Sequence, residues 1–191
     1  LFLDPRKVTA QALATLGPDA SFFEYEAVGR KLEELGRKKA PVLIDPATTN
    51  RWVAERLRGA RLIRAASPVT AFKSVKNAVQ IRGVTACHVR DGVAMVTFLK
   101  WLEPAVRKGG VTELSAADQL ERFRREGALF QGPSFNTISG YGAHGAIVHY
   151  AADAKSNARL RPRGLYLIDS GGSYLDGTTD ITRTVTLGRP T

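Results

Sequence analysis

The run Gly164 to Gly188, GLYLIDSGGSYLDGTTDITRTVTLG, constrains this chain more than any other stretch. Side chains alternate across a strand, so in Leu165–Asp169 the residues Leu165, Leu167 and Asp169 share one face. Ser170-Gly171-Gly172 ends that strand. A second strand is expected over Thr178–Leu187, with Asp180, Thr182, Thr184 and Thr186 on one face and Ile181, Val185 and Leu187 on the other. Each strand thus carries an aspartate among apolar or Thr neighbours, and the alternation predicts adjacent antiparallel strands with both carboxylates converging on the core side. An unpaired carboxylate buried on a sheet costs several kcal/mol, and neither Asp has a Lys or Arg at a neighbouring same-face position of its own strand. Two resolutions stay open from pattern alone. A shared cation would meet both charges, since oxygen-rich sites suit Mg, Ca or Mn; alternatively one Asp caps a turn and the other pairs with Arg183.

The rest of the chain supplies the frame. Residues 1–66 alternate short apolar runs (Leu1–Leu3, Ser21–Phe23, Pro41–Ile44, Arg61–Ile63) with amphipathic helices over Tyr25–Lys38 and Thr48–Arg58, the latter capped by Thr49 or Asn50. That alternation predicts a small α/β domain. The pattern breaks near Ser67-Pro68, which marks the expected boundary between a domain of residues 1–66 and one of residues 67–191. A long helix is expected from about Lys76 to Leu102, with Ile81, Val84, Cys87 or His88, Met95, Phe98 and Leu102 on its core side. Thr112 caps a second helix whose Leu114, Ala117, Leu120 and Phe123 face the core, and Gly127 follows its end. Residues 128–191 are rich in Gly, Thr and β-branched residues and read as strands. The fold class is α/β (α+β).

Composition excludes several alternatives. Cys87 is the only cysteine, so an intrachain disulfide and a Cys-based zinc site are excluded; a reducing cytoplasm fits that count. No run of about 18 apolar residues is present, so no membrane span is expected. The formal charge of +10 invites a nucleic-acid reading, but the excess is spread, with 12 basic against 8 acidic residues in 1–66 and 16 against 10 in 67–191. The densest basic stretch, Lys155 to Arg163, has no interleaved aromatics for base stacking, so no nucleic-acid partner is expected. The opening Leu1-Phe2-Leu3-Asp4-Pro5 lacks a Met and a basic n-region and reads as the tail of a strand. The closing Gly188-Arg189-Pro190-Thr191 reads as a strand-end turn. A fragment that begins and ends within domains is therefore expected.

The run Tyr166-Leu167-Ile168-Asp169-Ser170-Gly171-Gly172, continued by Tyr174 and Asp176-Gly177-Thr178-Thr179-Asp180-Ile181-Thr182-Arg183-Thr184, closely resembles the signature of Xaa-Pro aminopeptidases of the pita-bread metallopeptidase family. Gly145-Ala146-Ile147-Val148-His149-Tyr150 resembles it too, as does Val75-Lys76-Asn77 through Arg90-Asp91-Gly92 to Trp101-Leu102-Glu103. Asp4-Pro5-Arg6-Lys7 and Asp45-Pro46 match less specifically. The resemblance covers the whole chain. It implies that 1–66 is the C-terminal part of a creatinase-like α/β domain and 67–191 the N-terminal half of a pita-bread catalytic domain.

What the resemblance implies for chemistry is a dinuclear site, usually manganese, held by two Asp, one His and two Glu. Asp169 matches the carboxylate that chelates one ion, Asp180 the carboxylate that bridges both, and His149 a catalytic histidine outside the ligand set that assists proton transfer. His144 stands where the family usually has a small polar residue, and His88, in the long helix, is read as structural. The metal-binding His and both Glu have no match in this chain, so the resemblance implies an inactive fragment of an active, cytoplasmic, homodimeric enzyme. Its substrates are peptides with proline at the second position, without a nucleic-acid or membrane partner. Two alternatives remain: a proline dipeptidase or creatinase-like hydrolase on the same fold, and a non-catalytic binding module that keeps the fold. The Asp-Gly-Thr-Thr-Asp-Ile-Thr-Arg-Thr run favours the aminopeptidase, and retention of both Asp169 and Asp180 argues against the binder.

Overall fold

Short apolar runs separated by helices become parallel strand pairs in the first part of the chain, because parallel neighbours need a crossover and the intervening residues supply one. The computed structural model describes residues 1–15 and 20–189 and divides into two units, Leu1–Val75 and Lys76–Thr191. The first unit runs β1 (Phe2–Leu3), α1 (Ala10–Thr15), β2 (Phe23–Glu24), α2 (Ala27–Arg37), β3 (Pro41–Ile44), α3 (Arg51–Arg56), β4 (Arg61–Arg64) and α4 (Pro68–Ser74). β1 pairs with β2 and β3 with β4, both parallel. Asn50 caps α3 by accepting from the Val53 amide at 2.9 Å. Helix α4, with Pro at its first position, grew out of the segment where the apolar pattern breaks, and it groups with the first unit.

The second unit begins with α5 (Ala78–Lys108) and α6 (Glu113–Arg125). Asn77 and Gln80 close a capping box at the start of α5, and Thr112 and Ser115 do the same for α6. α5 runs past the expected end at Leu102 and through Pro104. Burial of Val106 against the core holds that last turn in spite of the proline. Among the described residues six short strands follow: β5 (Phe130–Pro133), β6 (Ile138–Tyr141), β7 (Leu165–Ser170), β8 (Gly172–Tyr174), β9 (Gly177–Thr178) and β10 (Ile181–Thr186). They form two antiparallel sheets, in the orders β10-β7-β6 and β5-β8-β9. Of the turn expected at Gly188–Thr191, the last two residues lie outside the described residues.

The core of this unit sets Met95, Phe98, Leu102 and Val106 of α5 and Ala116 and Leu120 of α6 against Tyr166 and Ile168 of β7, with Leu160 and Leu187 closing it. On α6 the fully buried positions are Glu113, Ala116, Leu120 and Arg124; of the expected Leu114, Ala117, Leu120 and Phe123, Leu120 is buried and Phe123 packs against the core, while Leu114 and Ala117 are half-buried. The two polar members are admitted because each is paired. Arg124 makes a two-pronged ion pair with Asp91 of α5, at 2.7 Å from Nε to Oδ1 and 3.1 Å from Nη2 to Oδ2. The Tyr174 hydroxyl donates to the same Asp91 Oδ1 at 2.8 Å. Both charged side chains are 3% exposed, so this triad fastens α5, α6 and β8 together in a dry interior.

Candidate metal centre

The antiparallel ladder between β7 and β10 pairs Ile181 with Ser170 and Thr182 with Asp169. Asp180 stands one residue before β10, so it falls on the side of Asp169 and diagonal to it, a relation that separates Cβ atoms by about 7 Å. The strand expected over Thr178–Leu187 is in fact two, interrupted at Thr179-Asp180. The interruption is built by hydrogen bonds. Thr179 Oγ1 accepts from the Gly172 amide at 2.9 Å, and the Thr179 amide donates to the Gly172 carbonyl at 2.9 Å. Ser134 donates its hydroxyl to the Thr179 carbonyl at 2.9 Å and its amide to the Gly171 carbonyl at 3.1 Å. Gly171 is required there, because a Cβ would collide with the Thr179 carbonyl oxygen and the Ser134 hydroxyl.

The face differs from the expected one. Tyr166, Ile168 and Ser170 are the β7 side chains that enter the helix-covered core, while Leu165, Leu167 and Asp169 lie on the opposite side. Asp169 and Asp180 therefore open not into the apolar core but into a separate cavity of about 490 Å³, shared with His149, Phe135, Asn136 and Ile138. Asp180 is exposed and Asp169 half-buried. One oxygen of Asp169, Oδ1, is fully buried with no hydrogen-bond partner. Arg183 does not serve either Asp, since it donates to the Thr182 carbonyl. A buried anionic oxygen without a donor is costly unless a cation meets it, so Asp169 fits a hard divalent ion bound at this cavity. Among the described residues no group of three or more His, Cys, Asp or Glu side chains is gathered closely enough to hold a metal.

His149 reaches the cavity from the segment between β6 and β7, at a left-handed backbone position with φ of 54°. Val148 before it is exposed and Tyr150 after it is buried. His144 lies outside the cavity lining, stacked on the Tyr150 ring with centroids 4.5 Å apart and bonded through Nδ1 to Glu113 at 2.8 Å. His88 on α5 bonds the Val84 carbonyl of its own helix.

Sequence reasoning missed Glu113. Its side chain is fully buried, and the only signal for it was an acid at the first position after an N-cap. A larger cavity, about 1030 Å³, flanks the start of α5 beside Lys76, Arg82, His88 and Asp176. Its one carboxylate is already paired, Asp176 with Arg90, which holds Asp176 below the ordinary carboxylate range.

Comparison with known proteins gives two family matches, the metallopeptidase family M24 over residues 82–191 and the creatinase/prolidase N-terminal domain over residues 1–80. An Aspergillus fumigatus protein named Probable Xaa-Pro aminopeptidase P is 37% identical over the whole of this chain, which spans 31% of its length. A Xaa-Pro aminopeptidase of Drosophila melanogaster is 38% identical over 90% of the chain and 28% of its own length. Among solved structures, the X-prolyl aminopeptidase of Caenorhabditis elegans, described as a cytosolic enzyme with a di-nuclear active site, superposes with a TM-score of 0.90 at 30% identity. That match covers 100% of this chain and 32% of the other. The chain thus spans about a third of the length of these relatives. The fold is the expected one, a creatinase-like α/β part followed by part of a pita-bread domain.

Proposed function

This chain belongs to metallopeptidase family M24, and from that premise we propose that the intact protein is an aminopeptidase that releases an N-terminal residue preceding proline. The observation that carries the proposal is the orphaned Asp169 Oδ1 in a cavity that also receives Asp180 and His149. Asp169 and Asp180 are the carboxylates that would hold two divalent ions, manganese by our reading, with Asp180 shared between them. Such a pair, when bound, supplies Lewis acidity toward the scissile carbonyl and a water activated at neutral pH. His149 would take or return a proton beside the substrate, work for which an imidazole is suited near neutral pH. The di-nuclear site of the Caenorhabditis elegans relative supports the two-ion reading.

Two carboxylates cannot fill two coordination spheres, so we propose that the 191-residue chain alone is inactive. The domain boundary near residue 66, a cytoplasmic location, a homodimeric intact enzyme and the absence of nucleic-acid or membrane partners belong to the same reading. The cytosolic relative supports the location, and no helix of the described residues is long and apolar enough to cross a membrane.

The test is release of the first residue from an Xaa-Pro-Xaa peptide by the intact protein with added manganese, alongside its metal content. Asp180→Asn removes a unit of charge and one of two equivalent anionic oxygens, so activity is expected to fall at least about 10²-fold together with bound metal. Asp176→Asn, which touches only the Arg90 pair, is expected to cost far less. Full activity in Asp180→Asn, or turnover by the purified 191-residue chain, would refute the ligand assignment.

A further inference from the structure

Glu113 is a fully buried carboxylate that the proposed chemistry leaves without a task. It sits at the first position of α6 and accepts four hydrogen bonds. Oε1 takes the Tyr141 amide at 2.7 Å and His144 Nδ1 at 2.8 Å; Oε2 takes the Tyr150 hydroxyl at 2.9 Å and the Ala158 amide at 2.8 Å. All four donors lie within residues 141–158, the segment that carries His149. The Glu113 backbone adds to the same clamp: its carbonyl accepts from Ser139 at 2.7 Å, and its amide donates to the Ala158 carbonyl at 3.0 Å.

From this geometry, and resting on the reading of His149 as the proton-transfer group, we infer that Glu113 is its positioning residue. The segment leaves β6 at Tyr141, makes the short 3-10 turn Gly142–Ala146 and passes through the left-handed His149 before burying Tyr150. A left-handed non-glycine backbone persists only where its surroundings over-determine it. Here the surroundings are one carboxylate that grips the chain before the turn (Tyr141), within it (His144), immediately after His149 (Tyr150) and at the far end (Ala158). The His144–Tyr150 ring stack locks the two flanking grips together.

The site demands a carboxylate in particular. Each oxygen accepts one backbone N–H, from Tyr141 on Oε1 and from Ala158 on Oε2. In Glu113→Gln the amide NH2 must face one of those N–H groups whichever way it is turned, because a backbone donor cannot reverse its role. The grip is then lost at one end of the segment, while Asp169 and Asp180 on β7 and before β10 keep their own supports.

The experiment uses the intact protein. Crystal structures of wild type and Glu113→Gln are expected to differ in the placement of His149, displaced from the cavity, with Asp169 and Asp180 unmoved. Kinetically, kcat on an Xaa-Pro-Xaa peptide is expected to fall about 10²-fold with KM and bound metal nearly unchanged. His149→Asn tolerates the left-handed backbone but cannot relay the proton. In that background Glu113→Gln is expected to add less than about threefold, because its effect runs through the residue already removed. Tyr150→Phe deletes one of the four donors while keeping the ring stack. It is expected to lower kcat by up to about tenfold with the same non-additivity, and it carries the test if Glu113→Gln does not fold. An undisturbed His149 in the variant structure, or losses that multiply independently in the double variant, would overturn the inference. If the wild-type intact protein hydrolyses no Xaa-Pro peptide, the peptidase reading fails, and the structural comparison still decides whether Glu113 positions His149.

Discussion

Arg124→Met tests the argument for the dry triad of Asp91, Arg124 and Tyr174 most directly. The substitution keeps most of the aliphatic volume and removes both guanidinium bonds to Asp91. Asp91 Oδ1 then retains the Tyr174 hydroxyl, and Oδ2 loses its Arg124 partner. Breaking a buried pair from one side costs about 3–5 kcal/mol, since a charge is left without compensation. At ~3–5 °C per kcal/mol for a unit of this size, the melting temperature should fall by ~10–20 °C. The paired change Asp91→Leu with Arg124→Met leaves no buried charge unpaired, orphans the Tyr174 hydroxyl and is expected to cost less, about 1–3 kcal/mol. Trp101 packs between Phe98 and Phe123 of the same core, so its fluorescence in a Trp52→Phe background follows this unit through urea or heat. Acidity supplies a second readout with opposite signs. In the wild type, burial pushes the Asp91 carboxyl up, but the Arg124 bonds and charge and the Tyr174 bond outweigh it and hold it below the ordinary range. Its stabilising contribution is therefore present above the unfolded carboxyl value, near 3.9, and is lost as pH falls through the folded value beneath that. Without Arg124 burial dominates, the carboxyl is raised, and the variant should recover stability as pH falls toward it. A single-variant loss below about 1 kcal/mol, or the same acid dependence as wild type, would refute the reasoning.

Gly171→Ala should destabilise the second unit by at least about 1–3 kcal/mol, because the new methyl meets backbone and a held hydroxyl rather than a yielding side-chain end; a thermal shift under 1 °C would contradict the tight crossing. The spread basic charge should give only weak binding to duplex DNA, lost near ~0.15 M salt. Sub-micromolar binding that survives such salt in a filter or anisotropy assay would reverse that assignment.

Elements governed by local chemistry were legible in the sequence. The caps Asn50 and Thr112 and the strands Pro41–Ile44 and Leu165–Asp169 follow from residues a few positions apart. Distant partners hid the rest. On α6 Leu120 and Phe123 were legible, but Glu113 and Arg124 read as solvent-facing until their donors and acceptors, 28 to 45 residues away, are in hand. Asp169 was assigned to the core side because alternation tells which residues share a face but not which face the helices cover. The break at Thr179-Asp180 depends on Gly172 and Ser134 and leaves no periodic trace. That Asp169 and Asp180 share one side of adjacent strands followed from alternation; the arrival of His149 in the same cavity needed the fold.

The left-handed backbone at His149 sets two demands on one residue. Glycine would meet the torsion at no steric cost, whereas any side chain with a Cβ gives up roughly 1 kcal/mol there. Replacing His149 by glycine should therefore relax the segment while erasing its imidazole, yielding a protein that is firmer and less capable. Screens for thermal robustness would drift toward that substitution, and screens for turnover would drift away from it. On the proposed reading, His149 is a working part kept at the expense of its own scaffold.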